Sequence, residues 1–147
     1  MGALSTALAN LAALTVGGAT SFALDETPGA LTRVQLPALI VVPELGGESA
    51  GLEPSGFSAG DGRLVVTVGH LLLLAPLTGG AGPRGALPAL AAAMDAYFEA
   101  LAADPTLDGA LAVPLRCAVR AGVVSFGGAD YHGAVFTHTW TLHVGEE

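Results

Sequence analysis

The four histidines are the side chains in this sequence best suited to bind a metal ion or transfer a proton. His138 and His143 lie five positions apart, so on a strand they point to opposite faces and do not chelate one ion together. His132 and His138 share a face but lie too far apart along it, and no zinc-type spacing supplies other ligands. We therefore expect no metal site. We expect these histidines, and His70, to lie at a sheet surface or a subunit contact.

The sequence does not indicate a catalytic site with a cysteine or serine nucleophile. The only cysteine, Cys117, alternates with Leu115 and Val119, which predicts a small core residue and excludes an intrachain disulfide. Arg116 and Arg120 flank the thiol but project to the opposite side of a strand, so they do not activate it. The chain has no Gly-x-Ser-x-Gly motif.

Two glycine-rich segments, at 46–47 and 78–85, invite comparison with phosphate-binding loops. Neither ends in Gly-Lys-Ser/Thr, and neither matches the dinucleotide-binding fingerprint. The second precedes a predicted helix, whose N-terminus can accept an anion, but an ordinary connection explains it better. The paired carboxylates at 25–26 and 146–147 lie in polar segments, unlike catalytic acids. We therefore expect a protein that is not an enzyme, with no catalytic, cofactor-binding or metal-binding residue.

Arg116 and Arg120 are the remaining pair with a spacing of interest. They lie four positions apart, so on a strand they share the face opposite the core, with Ala118 between them. One interpretation is an exposed pair that keeps a strand soluble. The other is a ring interface in which each arginine meets an acidic group of the next subunit. The sequence supports both equally.

The hydrophobic periodicity that must position these residues predicts one α+β domain over residues 1–147. We expect a mostly antiparallel sheet of about four strands flanked by two helices, in the order α-β-β-α-β-β. A long Gly/Pro loop is predicted at 44–62. The predicted helices are 3–14 and 87–102, and the predicted strands are 36–42, 63–75, 113–125 and 131–144. A short turn around Gly127 and Gly128 predicts that the last two strands form a hairpin.

Two of these elements carry specific expectations. The strand at 63–75 is almost continuously apolar, so both its faces should be covered, one by a helix and the other by a neighbouring subunit. The second helix has an apolar stripe and an opposite side that carries Asp95 and Glu99. The predicted stripe consists of Leu87, Leu90, Met94, Phe98 and Leu101.

The composition restricts the class of protein further. Hydrophobic residues make up 52% and charged residues 12%, which predicts a sizeable core and a surface with apolar regions that other subunits bury. A biased genome rich in Ala, Gly, Leu and Val is the alternative explanation. The net charge of −8, with no lysine, argues against wrapping nucleic acid. We expect no signal peptide, and the apolar runs at 36–42 and 71–76 are too short to span a membrane.

The order of elements resembles a known family. The segment 36–43 (LPALIVVP), a strand at 66–76 with Gly-His-Leu, and a helix at 87–101 come first. The segment 104–111 (DPTLDGAL), an arginine-bearing strand and the segment 131–144 (YHGAVFTHTWTLHV) follow. Over residues 30–144 this series resembles the tail terminator, or tail completion, proteins of long-tailed bacteriophages and related minor tail proteins. The resemblance rests on the order, length and character of the elements.

The resemblance implies a structural virion protein that forms a ring, typically a hexamer, at the head-proximal end of the phage tail. Such a ring caps the tail tube, stops its polymerisation and joins it to a head-completion or neck adaptor protein. It would assemble in the host cytoplasm, and DNA would pass through its lumen without specific binding. Our own candidates for the subunit interface are Arg63, Arg116, Arg120, Glu48, Glu53 and Phe57. The alternatives are another neck or head-completion adaptor and, from a different class, a small-molecule-binding α+β domain.

Overall fold

The structure is a computed structural model, and it describes residues 2–42, 52–77 and 82–145. These residues form two α-helices and six strands. The helices are α1 (Ala3–Ala12) and α2 (Gly82–Ala103). The strands are β1 (Thr20–Ser21), β2 (Ala38–Val42), β3 (Glu53–Ser58), β4 (Arg63–Pro76), β5 (Arg116–Phe126) and β6 (Ala129–His143). The predicted α+β class is confirmed.

The six strands form one mixed sheet. Its order is β1-β2-β4-β6-β5, and β3 also pairs with β4. β1 and β2 pair in parallel, and the other pairs are antiparallel. β5 and β6 form a hairpin closed by Gly127 and Gly128, whose φ angles of 60° and 81° suit a two-residue turn of type I′. The predicted hairpin and its glycine turn are therefore confirmed.

The two helices cover one face of this sheet, which we call the helix face. Alternate residues of β6 point towards it, among them Phe136, His138 and Trp140. α1 buries Leu11 against the core around Trp140, and α2 packs against the core around Phe136. Because strand side chains alternate, a second set of residues points to the opposite, second face.

The second face is covered in part by the chain itself. Leu71 and Leu73 of β4 are buried there, in a core that also contains Val135. Phe22 and Leu31, from the segment between β1 and β2, pack against this core. The expectation that a neighbouring subunit covers the second face of this strand is therefore wrong at Leu71 and Leu73.

Three other expectations about the elements need correction. The sheet has six strands among the described residues rather than about four, because the periodicity indicates neither β1 nor β3. β3 lies inside the predicted loop at 44–62 and pairs irregularly with β4. Its Pro54 and Gly56 are residues typical of loops, so the sequence does not indicate a strand there. α2 begins five residues before the predicted start, since proline is tolerated in the first helical turn, where the backbone N–H lacks a partner.

We predict that Gly133→Ala destabilises the fold strongly. A Cβ atom at Gly133 would collide with the carbonyl oxygen of Leu72, a backbone group that cannot move aside. We expect the free energy of unfolding to fall by about 1–3 kcal/mol or more in urea titrations. Gly60→Ala is the matched control, because nothing lies within 4 Å of the place that its Cβ atom would take. Equal stabilities for the two variants would contradict the close approach of β4 and β6.

Candidate functional site

β5 is the outer strand of the sheet and is exposed on both sides. It pairs only with β6 in the described sheet, and eight of its eleven residues are exposed. Val119, Ala121 and Val123 lie on the helix face, beyond the cover of α2, and we call them the β5 strip. Val119 and Val123 are 39% and 45% exposed. A long edge strand with apolar side chains and unpaired backbone groups is a surface suited to contact with another chain.

α2 adds further exposed apolar surface next to this strand. Its inner side buries Leu90, Tyr97 and Leu101. The predicted stripe is therefore wrong at Leu87 and Phe98, which are 62% and 41% exposed. The helix is turned so that Tyr97 points into the core, while Phe98 touches the edge of Phe136 at a ring distance of 5.7 Å.

By length and composition alone, Gly85–Ala103 is also apolar enough to cross a membrane. Core helices of soluble proteins can be as apolar, but they are mostly buried, whereas only 17% of this segment is buried. The low buried share makes α2 an unusually exposed apolar helix in the isolated chain.

Three of the predicted interface residues share the second face of the sheet. Arg116 lies opposite Thr139 and Arg120 opposite Val135, so both point away from α2, as their spacing predicts. Arg63 of β4 lies opposite His143 and is on the same face. Four residues along β6 separate the positions of Arg63 and Arg116, or about 13 Å, so the three arginines line one face without forming one cluster. All three side chains are exposed.

The outcome differs for the other three predicted interface residues. Phe57 is 58% exposed and lies opposite Leu64, on the helix face. Glu53 is the first residue of β3 and lies opposite Thr67. Glu48 lies outside the described residues.

Behind the exposed strand, the core contains a polar network that joins α2 to the two central strands. The Tyr97 hydroxyl lies 2.8 Å from Nδ1 of His70 and 2.6 Å from Nε2 of His138. The three side chains are fully buried. The Tyr97 ring also stacks on Phe136, with ring centroids 3.7 Å apart. This network fixes the rotation of α2 about its axis.

The network requires opposite roles for its two histidines. A hydroxyl donates one hydrogen bond, so one imidazole nitrogen accepts from Tyr97 and the other donates to it. Both rings are neutral at pH 7. Burial lowers the pKa of His70 to about 3, with a smaller contribution from His138, and burial lowers the pKa of His138 to about 4. Burial also raises the pKa of Tyr97 above its ordinary value.

The expectation that the histidines lie at a sheet surface or a subunit contact is therefore wrong for three of them. His70 and His138 are core residues, and His132 is buried as well. His138 and His143 do lie on opposite faces of β6. The sequence contains one indication, since His138 alternates with Phe136 and Trp140 on the buried face. His70 carries the same indication, since it alternates with Val68 and Leu72 on the buried face of β4. Tyr97 carries none, because its partners come from other elements.

Cys117 agrees with its prediction in part. It lies opposite His138 on the helix face, packs against the core and is half-buried. Burial raises the pKa of its thiol to about 11, so the thiolate is scarce at neutral pH. Among the described residues, no three His, Cys, Asp or Glu side chains lie close enough to hold a metal ion.

Grooves on the described surface are open and shallow. One of them has a volume of about 430 Å³ and is lined by residues that include Leu31, Arg33, Asp130 and Tyr131. The buried histidine network does not line it. The groove therefore does not bring a ligand into contact with the buried histidines.

No protein-family model matches the chain, and no curated protein matches it significantly.

We predict that the stability of the protein falls as the pH drops below about 6.5. The unfolded histidines take up protons near pH 6.5, whereas folded His138 and His70 resist protonation down to about pH 4 and 3. The stabilising contribution is therefore complete above pH 6.5 and is lost as the pH falls towards 4. Each histidine should reduce the free energy of unfolding by up to about 1.4 kcal/mol per pH unit in this window.

Urea titrations between pH 4 and 7.5 measure this slope. His70→Gln should make it shallower. His143→Gln, which removes an imidazole on the opposite face of β6 and outside the network, is the control. The same slope in both variants would contradict the assignment to the buried network.

We predict that Tyr97→Phe destabilises the protein without changing its fold. The phenyl ring keeps the stacking on Phe136 but leaves the nitrogens of His70 and His138 without their partner. The expected loss is about 1–3 kcal/mol in the free energy of unfolding, measured by thermal or urea denaturation. Tyr131→Phe, which removes a hydroxyl from the core of the second face, is the control and should cost less. An equal cost for the two variants would argue against the hydrogen-bonded network.

Proposed function

We propose that this chain is the ring subunit that caps the head-proximal end of a phage tail tube. It stops tube polymerisation and joins the tube to a head-completion or neck adaptor protein. It forms a homo-oligomeric ring, of six copies by the resemblance in the sequence, and belongs to the virion after assembly in the host cytoplasm. Its role is structural rather than enzymatic.

The observation that carries this proposal is the exposure of β5 on both sides. A monomeric protein usually shields or shortens an edge strand, because its unpaired N–H and C=O groups recruit other chains. Here an eleven-residue edge strand occurs together with α2, which leaves Leu87 and Phe98 exposed. Contact with neighbouring subunits would bury both, as in a ring.

The charge of the chain supports a conduit for DNA. With a net charge of −8, a ring of identical subunits repels phosphate groups overall and gives DNA little reason to bind. Asp25 and Glu26, at the start of the segment that covers the second face, are exposed and add to this field. DNA would therefore pass through such a ring without specific contacts.

We predict that the purified chain forms rings and binds the ends of tail tubes, stopping their growth. Electron microscopy of tubes mixed with the protein measures end binding, and light scattering follows tube extension. The proposal would be contradicted if the chain stays monomeric and neither binds tube ends nor halts tube growth. Rings that bind an isolated neck adaptor but never a tube would point to a head-completion protein instead.

Val119→Asp tests whether the β5 strip takes part in assembly. A carboxylate at this exposed position should weaken self-association about tenfold or more, which corresponds to about 1.4 kcal/mol, because burying it against a neighbour is unfavourable. The stability of the monomer should change little. The control is Val144→Asp, since Val144 is 42% exposed, much like Val119, and lies five residues beyond Thr139, the last residue of β6 that pairs with β5. If both variants change the sedimentation behaviour equally, the β5 strip does not form part of the subunit interface.

A further inference from the structure

The exposed charged side chains of β5 and those on the outer side of α2 have opposite signs and lie on opposite sides of the sheet. Arg116 and Arg120 point from β5 to the second face, and β5 contains no acidic residue. Together with Ala118 and Thr139, which are also exposed, they form what we call the arginine face. Gly85–Ala103 in α2 has no basic residue and two acidic ones.

The acidic residues of α2 lie on the side turned away from the sheet. Asp95 and Glu99 are exposed, as are Ala91 and Ala102, which helical spacing places beside them. We call these four residues the acidic face. α2 packs on the helix face through Tyr97, whereas the arginine face belongs to the second face, so the two surfaces point in opposite directions.

From this arrangement we propose that the arginine face of one copy docks on the acidic face of α2 in a second copy. The inference rests on the proposed ring and specifies which surfaces build it. Because the two surfaces differ and point in opposite directions, the contact is heterologous, and repeated contacts close into a ring where the rotation allows it.

The chemistry of the two faces fits such a contact. Each combines two like charges with small exposed side chains that permit close approach, Ala118 and Thr139 on one face and Ala91 and Ala102 on the other. Asp95 and Glu99 are neighbours on the helix surface, and such a like-charged pair disfavours an isolated helix by about 0.2–0.5 kcal/mol. Guanidinium groups of a second copy would relieve this repulsion and form charge-assisted hydrogen bonds with the carboxylates. A second copy is therefore a better match than a neutral or acidic partner.

A charge-swap experiment tests the contact. One variant carries Arg116→Glu and Arg120→Glu, and the other carries Asp95→Arg and Glu99→Arg. Each variant alone brings like charges together at every contact, so its self-association should weaken about tenfold or more in analytical ultracentrifugation. In an equimolar mixture, an arginine-reversed face meets an α2-reversed face with opposite charges. The mixture should therefore regain association between the two variants.

Matched controls separate this effect from net charge and from folding. Asp25→Arg with Glu26→Arg makes the same change in charge as the α2 variant, on residues that lie beside α1 and belong to neither face, and should leave association unchanged. Arg33→Glu is the corresponding control for the single variant Arg116→Glu. Circular dichroism checks the fold of each variant, and the single variants Arg116→Glu and Glu99→Arg repeat the mixing test if a double variant unfolds.

Several outcomes would overturn the inference. These are variants that associate like the natural chain, a mixture that stays dissociated, and a natural chain that is monomeric at every concentration. Charge variants that lose tube binding but keep self-association would assign the arginine face to the tube protein instead. Rings that obey the charge pairing but ignore tube ends would contradict the proposed function and leave this contact standing.

Discussion

The antiparallel pairing of β4 with β6 holds the whole sheet in register. The two strands are 14 and 15 residues long and pair along almost their entire lengths. Because side chains alternate along each strand, this one register decides which residues face the helices and which face the second core. Gly133 shows how tight the pairing is, since no side chain fits between it and the backbone of Leu72. Every other element is placed relative to this pair.

The same register creates the buried polar network. It places His70 opposite Phe136 and Val68 opposite His138, so that the two imidazoles lie on one face and both reach the hydroxyl of Tyr97. A buried polar group is costly unless it is paired, and two such pairs exist only at one rotation of α2. The network therefore selects the helix orientation that leaves Leu87 and Phe98 exposed. The buried hydrogen bonds of Tyr97 and the exposure of Leu87 and Phe98 therefore both result from the orientation of α2.

The exposed surfaces follow from where the sheet ends. β5 closes one side of the sheet, and α2 covers β4 and β6 but leaves the β5 strip uncovered. On its other face the strand presents arginines, while the outer side of α2 presents carboxylates. A sheet one layer thick thus separates the arginines from these carboxylates, on a chain whose net charge is −8. Such a subunit offers complementary surfaces to its own copies, which is what a closed ring requires.

Local patterns in the sequence suffice to predict the α+β class, the β5–β6 hairpin, the strand at Arg63–Pro76 and the shared face of Arg116 and Arg120. These features depend on periodicity and turn residues, which are written in the order of the chain. Contacts between distant segments decide three other features of the fold. They pair β3 with β4, and they cover the second face of the sheet at Leu71 with the chain itself. They also bury Tyr97 rather than Phe98. Phe98 is the more apolar residue, so hydrophobicity favours it. Tyr97 is buried because its hydroxyl meets His70 and His138, which lie 27 and 41 residues away, and no local pattern encodes such a contact.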